Sequence, residues 1–164
     1  MRMPFHPWSL RTILTARPSV GALMELCEEN YRQLIRLAPA MARMEGQYDS
    51  RVAGHVDLHM EVIEQTRYTT LVHLTHYFDQ REGRSPDPDA TLRVYHDAGQ
   101  AEVLDLEQQV LPIQGPPGLG TLEQKWKANL FLSKWLSYCI AQGHRFRQNA
   151  GPRGRVAGSP AEIA

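Results

Sequence analysis

Residues 55–105 carry a repeat of two, and this repeat constrains the fold more than any other feature of the chain. Apolar side chains recur at even positions, while most odd positions are polar, with Ile63 and Leu71 as exceptions. Because successive side chains of a β-strand point to opposite faces, the repeat predicts an antiparallel sheet with one buried face and one polar face. The even apolar positions are Val56, Leu58, Met60, Val62, Val72, Leu74, Phe78, Leu92 and Val94.

Two turns divide this stretch into hairpins. The even positions before and after the first turn share a face only if the residue numbers of each cross-strand pair add up to an even number. A turn with an odd number of residues meets this condition, which predicts a three-residue turn at 65–67 or at 66–68. The second turn contains Gly99, which supplies the positive φ that tight hairpin turns need. With that turn centred on 98–99, the predicted cross-strand pairs are Val94 with Val103 and Tyr95 with Glu102.

Helical spacing of apolar residues brackets the sheet on both sides. The first helix is predicted over 19–37, with an N-cap serine at its start and a proline two residues past its end. The second helix opens on a capping box, Thr121 with Gln124, and ends at Gly143. Residues 39–54 show no clear period and are predicted to be a connector.

These elements predict an α+β fold. It is a three- to four-stranded antiparallel meander with an N-terminal and a C-terminal helix packed on one face, in the order α-β-β-β-β-α. Residues 19–143 form the single domain, 1–18 a flexible N-terminal extension, and 144–164 a disordered Arg/Gly-rich tail. The Pro-rich stretch 80–89 is predicted to be an exposed, mobile loop. Apolar residues of the extension are candidates for docking on the domain: Trp8, Leu10, Ile13 and Leu14.

The charge balance argues against a nucleic-acid binder. Eighteen Lys and Arg residues match eighteen Asp and Glu residues, so the chain lacks a bulk positive charge. No apolar run is long enough to span a bilayer, and Pro4 and Pro7 interrupt the apolar residues that a secretory signal would need. We therefore expect neither a membrane nor a nucleic-acid partner.

Two cysteines lie alone inside the predicted helices, without the spacing of a metal or redox motif. Cys27 and Cys139 are typical of buried core thiols in a reducing compartment, which indicates a cytoplasmic protein. A single disulfide between the two helices stays open as an alternative.

Four segments form a characteristic series: LMELCEENY at 23–31, EQTRYTTLV at 64–72, VYHDA at 94–98 with AEV at 101–103, and WLSYCIAQG at 135–143. In this order they resemble the YqiB-like family, small gammaproteobacterial proteins with a domain of unknown function. The resemblance implies a bacterial cytoplasmic protein and carries no activity, ligand or catalytic residue.

The first turn carries a candidate anion contact. Arg67 offers a bidentate donor, and Tyr68 and Thr69 follow it directly. An arginine with nearby threonine hydroxyls suits a phosphate or another small anion. A plain turn followed by strand-favouring residues explains the same sequence.

The third strand ends in Tyr95, His96 and Asp97. Neighbouring strand residues point to opposite faces, so His96 and Asp97 cannot form a catalytic pair within a regular strand. No nucleophile motif accompanies them. The structural interpretation is that His96 packs at the core edge, Asp97 caps the turn and Tyr95 pairs with Glu102.

Histidines on the polar face raise the question of a metal. His59 would lie opposite His73 if the first turn is 65–67, with Glu61 nearby, and zinc is often held by such ligands. The alternative register separates the pair, and the spacing provides no further ligand. We predict no metal site, no cofactor and no catalytic residue.

Two functional hypotheses follow. The first is a non-catalytic binding or adaptor module that uses the polar face, including Arg93, Tyr95 and Glu102, for a protein partner, for self-association or for a small anion. The second is an enzyme or binder acting on a nucleotide or another phosphate-containing small molecule, which requires Arg67, His96 and Asp97 to converge. We favour the first because the sequence contains no complete catalytic set.

Overall fold

Five antiparallel strands form one sheet in the order in which they occur along the chain. The computed structural model describes residues 19–80, 83–107 and 120–148. The helices and strands are α1 (Val20–Leu37), a 3-10 turn (Met41–Arg43), β1 (Gly46–Ser50), β2 (Leu58–Gln65), β3 (Thr69–Gln80), β4 (Gly83–Tyr95), β5 (Gln100–Glu107) and α2 (Leu122–Gln142).

The predicted α+β class is confirmed, with one strand more than expected. β1 lies inside 39–54, the stretch predicted to be a connector, and pairs with β2 from Gly46 opposite Val62 to Ser50 opposite Leu58. Its five residues include one large apolar side chain, Tyr48, and so show no repeat that would reveal a strand. Neither described helix combines the length and the apolarity that crossing a membrane would need.

The first hairpin reaches its register by a bulge. The Thr66 N–H donates to the Thr69 carbonyl at 2.9 Å, so the turn has two central residues and the predicted three-residue turn is wrong. Val62 lies opposite Val72 but Glu64 lies opposite Leu71, which makes Ile63 the inserted residue. Beyond the bulge, even positions of β2 lie opposite even positions of β3, which the three-residue turn was expected to achieve. Ile63 is 50% exposed, which explains its exception to the repeat.

The second hairpin is also shifted from its predicted pairing. Gly99 has the expected positive φ of 66°. The turn, however, spans His96 to Gly99, and the Gly99 N–H donates to the Tyr95 carbonyl at 2.9 Å. The two predicted pairs are therefore wrong. Because the turn is longer than expected, Val94 lies opposite Ala101, Arg93 opposite Glu102 and Leu92 opposite Val103.

The predicted loop at 80–89 is largely paired strand. β3 continues to Gln80 and β4 begins at Gly83, and Tyr77 lies opposite Pro86. The register shifts between Thr75 and Tyr77, where β4 has an extra residue around the buried Pro88. Such irregular positions tolerate proline, which cannot donate to a regular ladder.

Both helices cover the even face of the sheet, as predicted. The Ser19 hydroxyl caps α1 by accepting from the Ala22 N–H at 3.0 Å, and the capping box of Thr121 and Gln124 opens α2. The core joins buried side chains of both layers, including Leu34, Leu37, Leu132 and Leu136 of the helices and Leu58, Met60, Val72, Leu74 and Leu92 of the sheet.

The packed chain continues past the end of α2. His144 and Phe146 are buried, and the Phe146 N–H donates to the Leu37 carbonyl at 2.8 Å. The predicted domain boundary at 143 is therefore too early, because an aromatic side chain in the Arg-rich segment finds a place in the core. The predicted extension 1–18 and the rest of the tail, from 149, lie outside the described residues.

Shortening the side chain of Phe146 tests whether this segment belongs to the packed domain. The side chain is 1% exposed, so Phe146→Ala should lower the free energy of unfolding by about 3–5 kcal/mol in urea denaturation. The control is Arg147→Ala, because Arg147 is exposed and its loss should change stability by less than about 0.5 kcal/mol. Equal effects of the two substitutions would contradict the packing described here.

A buried histidine couples the core to pH. The Trp135 indole N–H donates to His76 Nδ1 at 3.1 Å, so the proton of the neutral imidazole lies on Nε2. Burial, and secondarily the charge of His144, lower the pKa of His76 to about 4. In the unfolded chain the same imidazole takes up its proton near pH 6.5.

We predict that acid removes the stability this histidine contributes. Since the folded pKa lies below the unfolded one, the contribution is complete above about pH 6.5 and is lost as the pH falls toward 4, by roughly 3 kcal/mol. His76→Phe should flatten the pH dependence of the free energy of unfolding over this window, even if the variant is less stable throughout. The control is Gln47→Ala, which removes an exposed, uncharged side chain and should leave the slope as it is.

Candidate functional site

The sheet surface turned away from both helices is called the outer face here. Its side chains form rows across the strands, because directly opposed residues share a face, and four of these rows cross three or more strands. Read in the direction from β1 to β5, the rows are Asp49–His59–Thr75–Asp89–Glu107, Gln47–Glu61–His73–Thr91–Asp105, Glu64–Leu71–Arg93–Glu102 and Thr69–Tyr95–Gln100.

Two histidine–aspartate pairs lie on this face. His59 Nδ1 is 2.6 Å from Asp49 Oδ1, and His73 Nε2 contacts Asp89 Oδ1. The Thr75 hydroxyl donates to the same Asp89 oxygen at 2.9 Å. Each carboxylate orients its imidazole. The arrangement is not a nucleophile triad, because the hydroxyl binds the carboxylate rather than the imidazole.

The register also decides the metal question raised by the sequence. His59 lies opposite Thr75 and Glu61 opposite His73, so the direct His59–His73 pair does not form. This is the register of the alternative turn at 66–68. Within the described part of the chain, no group of three His, Cys, Asp or Glu side chains is placed to hold a metal ion.

A second cluster brings together predicted site residues on β4 and β5. Arg93 lies opposite Glu102, and the Tyr95 hydroxyl donates to Glu102 Oε2 at 2.8 Å. Tyr95 thus bonds Glu102 diagonally. Burial, followed by this hydrogen bond, raises the pKa of Tyr95. Leu71 lies beside Arg93 in the same row, so the cluster combines an aliphatic, an aromatic and a charged side chain.

The two hairpin turns meet at one end of the sheet. The His96 N–H donates to the Tyr68 carbonyl at 2.8 Å. Arg67 and Tyr68 are exposed, with the guanidinium 5.3 Å from the ring centroid, and the hydroxyl of Thr69 lies 2.7 Å from that of Thr66. The backbones of the two turns are therefore adjacent, a condition that the phosphate hypothesis requires.

The His96 side chain leaves this meeting point and enters a polar relay on the helix side. His96 Nε2 is 2.7 Å from Thr70 Oγ1, and the Thr70 hydroxyl donates to Gln65 Oε1 at 2.5 Å. The Gln65 amide nitrogen donates in turn to the carbonyls of Met41 and Met44, each at 2.9 Å.

The direction of the relay determines what His96 can do. The Gln65 oxygen can only accept, so Thr70 gives its single proton to it and His96 must be the donor at Nε2. His96 therefore cannot act as a base toward Thr70, and the pair is not a catalytic dyad. Burial lowers the pKa of His96, while the charge of the exposed Asp97 raises it in part.

Several of these residues were missed by the sequence reasoning. Asp49 lies in the unpredicted strand, Asp89 in the predicted loop, and Gln65 in a predicted turn. Both aspartates stand at odd positions. Asp49 lies directly opposite His59, whereas Asp89 lies opposite Thr75 and reaches His73 diagonally. Thr70 gave no signal, because a threonine in a strand is ordinary.

The outer face is acidic although the chain is neutral. In its four rows Arg93 is the only guanidinium. Glu61, Glu64, Asp105 and Glu107 form no ion pair with another described residue. The carboxylates of the face are Asp49, Glu61, Glu64, Asp89, Glu102, Asp105 and Glu107.

At the β5 edge of the sheet, a side chain occupies one backbone donor. Asn129 of α2 accepts the backbone N–H of Val103 at 3.0 Å, and Asn30 of α1 donates to the backbone carbonyl of Asn129 at 3.2 Å. A backbone donor that is already bonded cannot template an added strand at that residue.

The relay predicts a single imidazole tautomer. Above its pKa, His96 should carry its proton on Nε2, which a long-range ¹H–¹⁵N correlation spectrum shows directly from the two ring nitrogen shifts. Thr70→Val removes the acceptor and should mix the tautomers. A dominant Nδ1–H form in the unaltered protein would contradict the relay.

Comparison with known proteins adds relatives without assigning an activity. The family described as Protein of unknown function (DUF1249) matches residues 33–145. The uncharacterized protein YqiB of Escherichia coli K12 is 34% identical over 137 residues, which cover 77% of this chain and 91% of that protein. The YqiB proteins of the O6:H1 and O157:H7 strains match to the same extent. No solved structure matches the chain.

Proposed function

We propose, for a chain that belongs to the DUF1249 family of proteins of unknown function, that it is a non-catalytic binding or adaptor module. The YqiB-like resemblance read from four segments is confirmed by the same matches. The proposed working surface is the outer face. The observation that carries the proposal is that both described helices lie on one side of a five-stranded sheet, so that neither of them covers the other side.

The composition of the outer face favours a protein partner. Arginine and tyrosine are enriched at the centres of protein interfaces, where they combine apolar area with hydrogen bonds. Arg93 lies opposite Leu71, and Tyr95 lies two residues further along β4, in the row next to the hairpin turns. An acidic surface repels phosphate groups, which weighs against a small anion at this face.

The hydrogen bonds of the face favour binding over catalysis. The side chains of His59 and His73 each contact an aspartate, and the Tyr95 hydroxyl donates to a glutamate. These contacts orient side chains, but they join no base to a nucleophile within the described residues. Catalytic sites need several such groups to converge on one reacting atom.

A cytoplasmic location is part of the proposal. Cys27 and Cys139 are both free and buried. Unpaired thiols are usual in reducing compartments, whereas secreted proteins tend to form disulfides.

The proposal is tested by removing the centre of the face. The full chain, carrying an affinity tag, is isolated from cells of its own host and its complexes are measured by native mass spectrometry. We expect a stoichiometric protein partner, and Leu71→Ala/Arg93→Ala should reduce its recovery at least tenfold. The matched control is Lys134→Ala/Tyr138→Ala, two exposed positions of α2, with urea unfolding to show that both variants are folded. Loss of the partner in the α2 variant alone, or no stoichiometric partner at all, would contradict the proposal.

A second candidate function keeps the phosphate hypothesis. The observation in its favour is the hydrogen bond between His96 and Tyr68, which places Arg67 on a turn adjacent to that of Asp97. A nucleotide or phosphate ester would then contact Arg67 and the hydroxyl of Thr69. Titration of the labelled protein with ATP tests this, because it requires saturable shifts at these residues that Arg67→Ala abolishes.

A further inference from the structure

We infer that residues 1–18 of the chain bind across the outer face and compete there with a partner. This segment contains three arginines, Arg2, Arg11 and Arg17, and no aspartate or glutamate. The outer face has the opposite character, with carboxylates in four of the five strands and one guanidinium in its four rows. The occupant we assign to the face is thus a cationic segment of the same chain.

The uncompensated carboxylates are the groups that such a segment would pair with. Asp49 and Asp89 already bind histidines, and Glu102 accepts from Tyr95. Glu61, on β2, and Asp105, on β5, lie in one row three strands apart, a distance of about 14 Å. Arg11 and Arg17 are six residues apart, which an extended chain spans in about 20 Å, so both ends of the row lie within reach.

The segment joins the domain on the correct side. Asn129 contacts both Cys27 of α1, at 4.0 Å, and the backbone of Val103 on β5, at 3.0 Å. Helix α1 therefore passes the edge of the sheet next to Glu102. Val20, the first residue of α1, lies seven residues before Cys27, so α1 begins within about 10 Å of this contact.

The length of the segment suffices to cross the face. Five strands are separated by four intervals of about 4.8 Å, which makes the face about 19 Å wide. An extended chain of this length reaches at most about 60 Å, so the segment can turn at the β5 edge and still cross to β1.

Apolar residues on both sides add to the charge complementarity. The segment contains Trp8, Leu10, Ile13 and Leu14. On the domain, Leu71 lies among the charged residues of the third row and the bulge residue Leu104 of β5 is 38% exposed. Burying apolar side chains between paired charges is the usual composition of a protein interface.

This inference rests on the proposed function in one respect, since both assign binding to the outer face. The segment then regulates access, because a partner must displace it. The experiment that follows needs no partner, so the two proposals fail separately. If Leu71→Ala/Arg93→Ala loses the partner but the segment makes no contact with the outer face, the proposed binding module stands and the regulation by the segment is refuted.

The test places a nitroxide spin label on the segment of the full chain through Ser9→Cys. Burial raises the pKa of Cys27 and that of Cys139 to about 12, so the native thiols stay unreactive toward the label. We expect paramagnetic broadening of backbone resonances in β4 and β5, around Arg93 and Asp105. The outward residues of α2 lie behind the sheet and should keep sharp signals.

Charge variants decide whether the contact is the one inferred. Glu61→Gln/Asp105→Asn, or 0.5 M salt, should weaken the broadening at least twofold. The matched control is Glu45→Gln/Glu123→Gln, two exposed carboxylates outside the four rows. The inference would be overturned by broadening centred on the helices. It would also be overturned by broadening that stays the same both in Glu61→Gln/Asp105→Asn and in 0.5 M salt. Broadening of isotope-labelled chains by separate spin-labelled chains would also overturn it, since the occupant would then be a second copy.

Discussion

The burial of one face of the sheet under two helices is the interaction on which the rest of the structure depends. Leu58, Met60, Val72, Leu74 and Leu92 leave water only because α1 and α2 cover them, and an uncovered small sheet is marginal in water. With both described helices on this side, neither of them covers the other side. The proposed working surface is thus a consequence of the core, and the same parity of residues that fills one face selects the side chains of the other.

Hydrogen bonds restrict where a partner can bind. Asn129 occupies a backbone donor of the β5 edge, which directs binding away from strand addition. On the helix side the relay from His96 to Gln65 ends on backbone carbonyls, so it ties the turns to the domain. On the outer face the aspartates orient two imidazoles, and the remaining carboxylates are left to attract a cationic surface.

The fold class followed from the sequence because parity and helical spacing are strong signals, but the registers did not. Ile63 breaks the repeat, and the sequence does not say whether it is an exposed strand residue or the inserted residue of a bulge. The structure shows a bulge, which converts an expected three-residue turn into a two-residue one. β1 escaped notice since a five-residue strand with one large apolar residue has no period, and the buried Phe146 was masked by its basic neighbours.

The candidate site was predictable in part for the same reason. Arg93 and Tyr95 are alternate residues of one strand, and Glu102 shares their face in both the predicted and the observed register. The partners of His59 and His73, in contrast, depended on unpredicted pairings. The central claim is that the outer face is the binding surface. Carbodiimide labelling of carboxyl groups, read by mass spectrometry in the host extract and in the purified, unfolded chain, tests it most directly. We predict protection of Glu61 and Asp105 in the extract, with Glu123 labelled equally in both samples. Full labelling of the two outer-face carboxylates in the extract would contradict it.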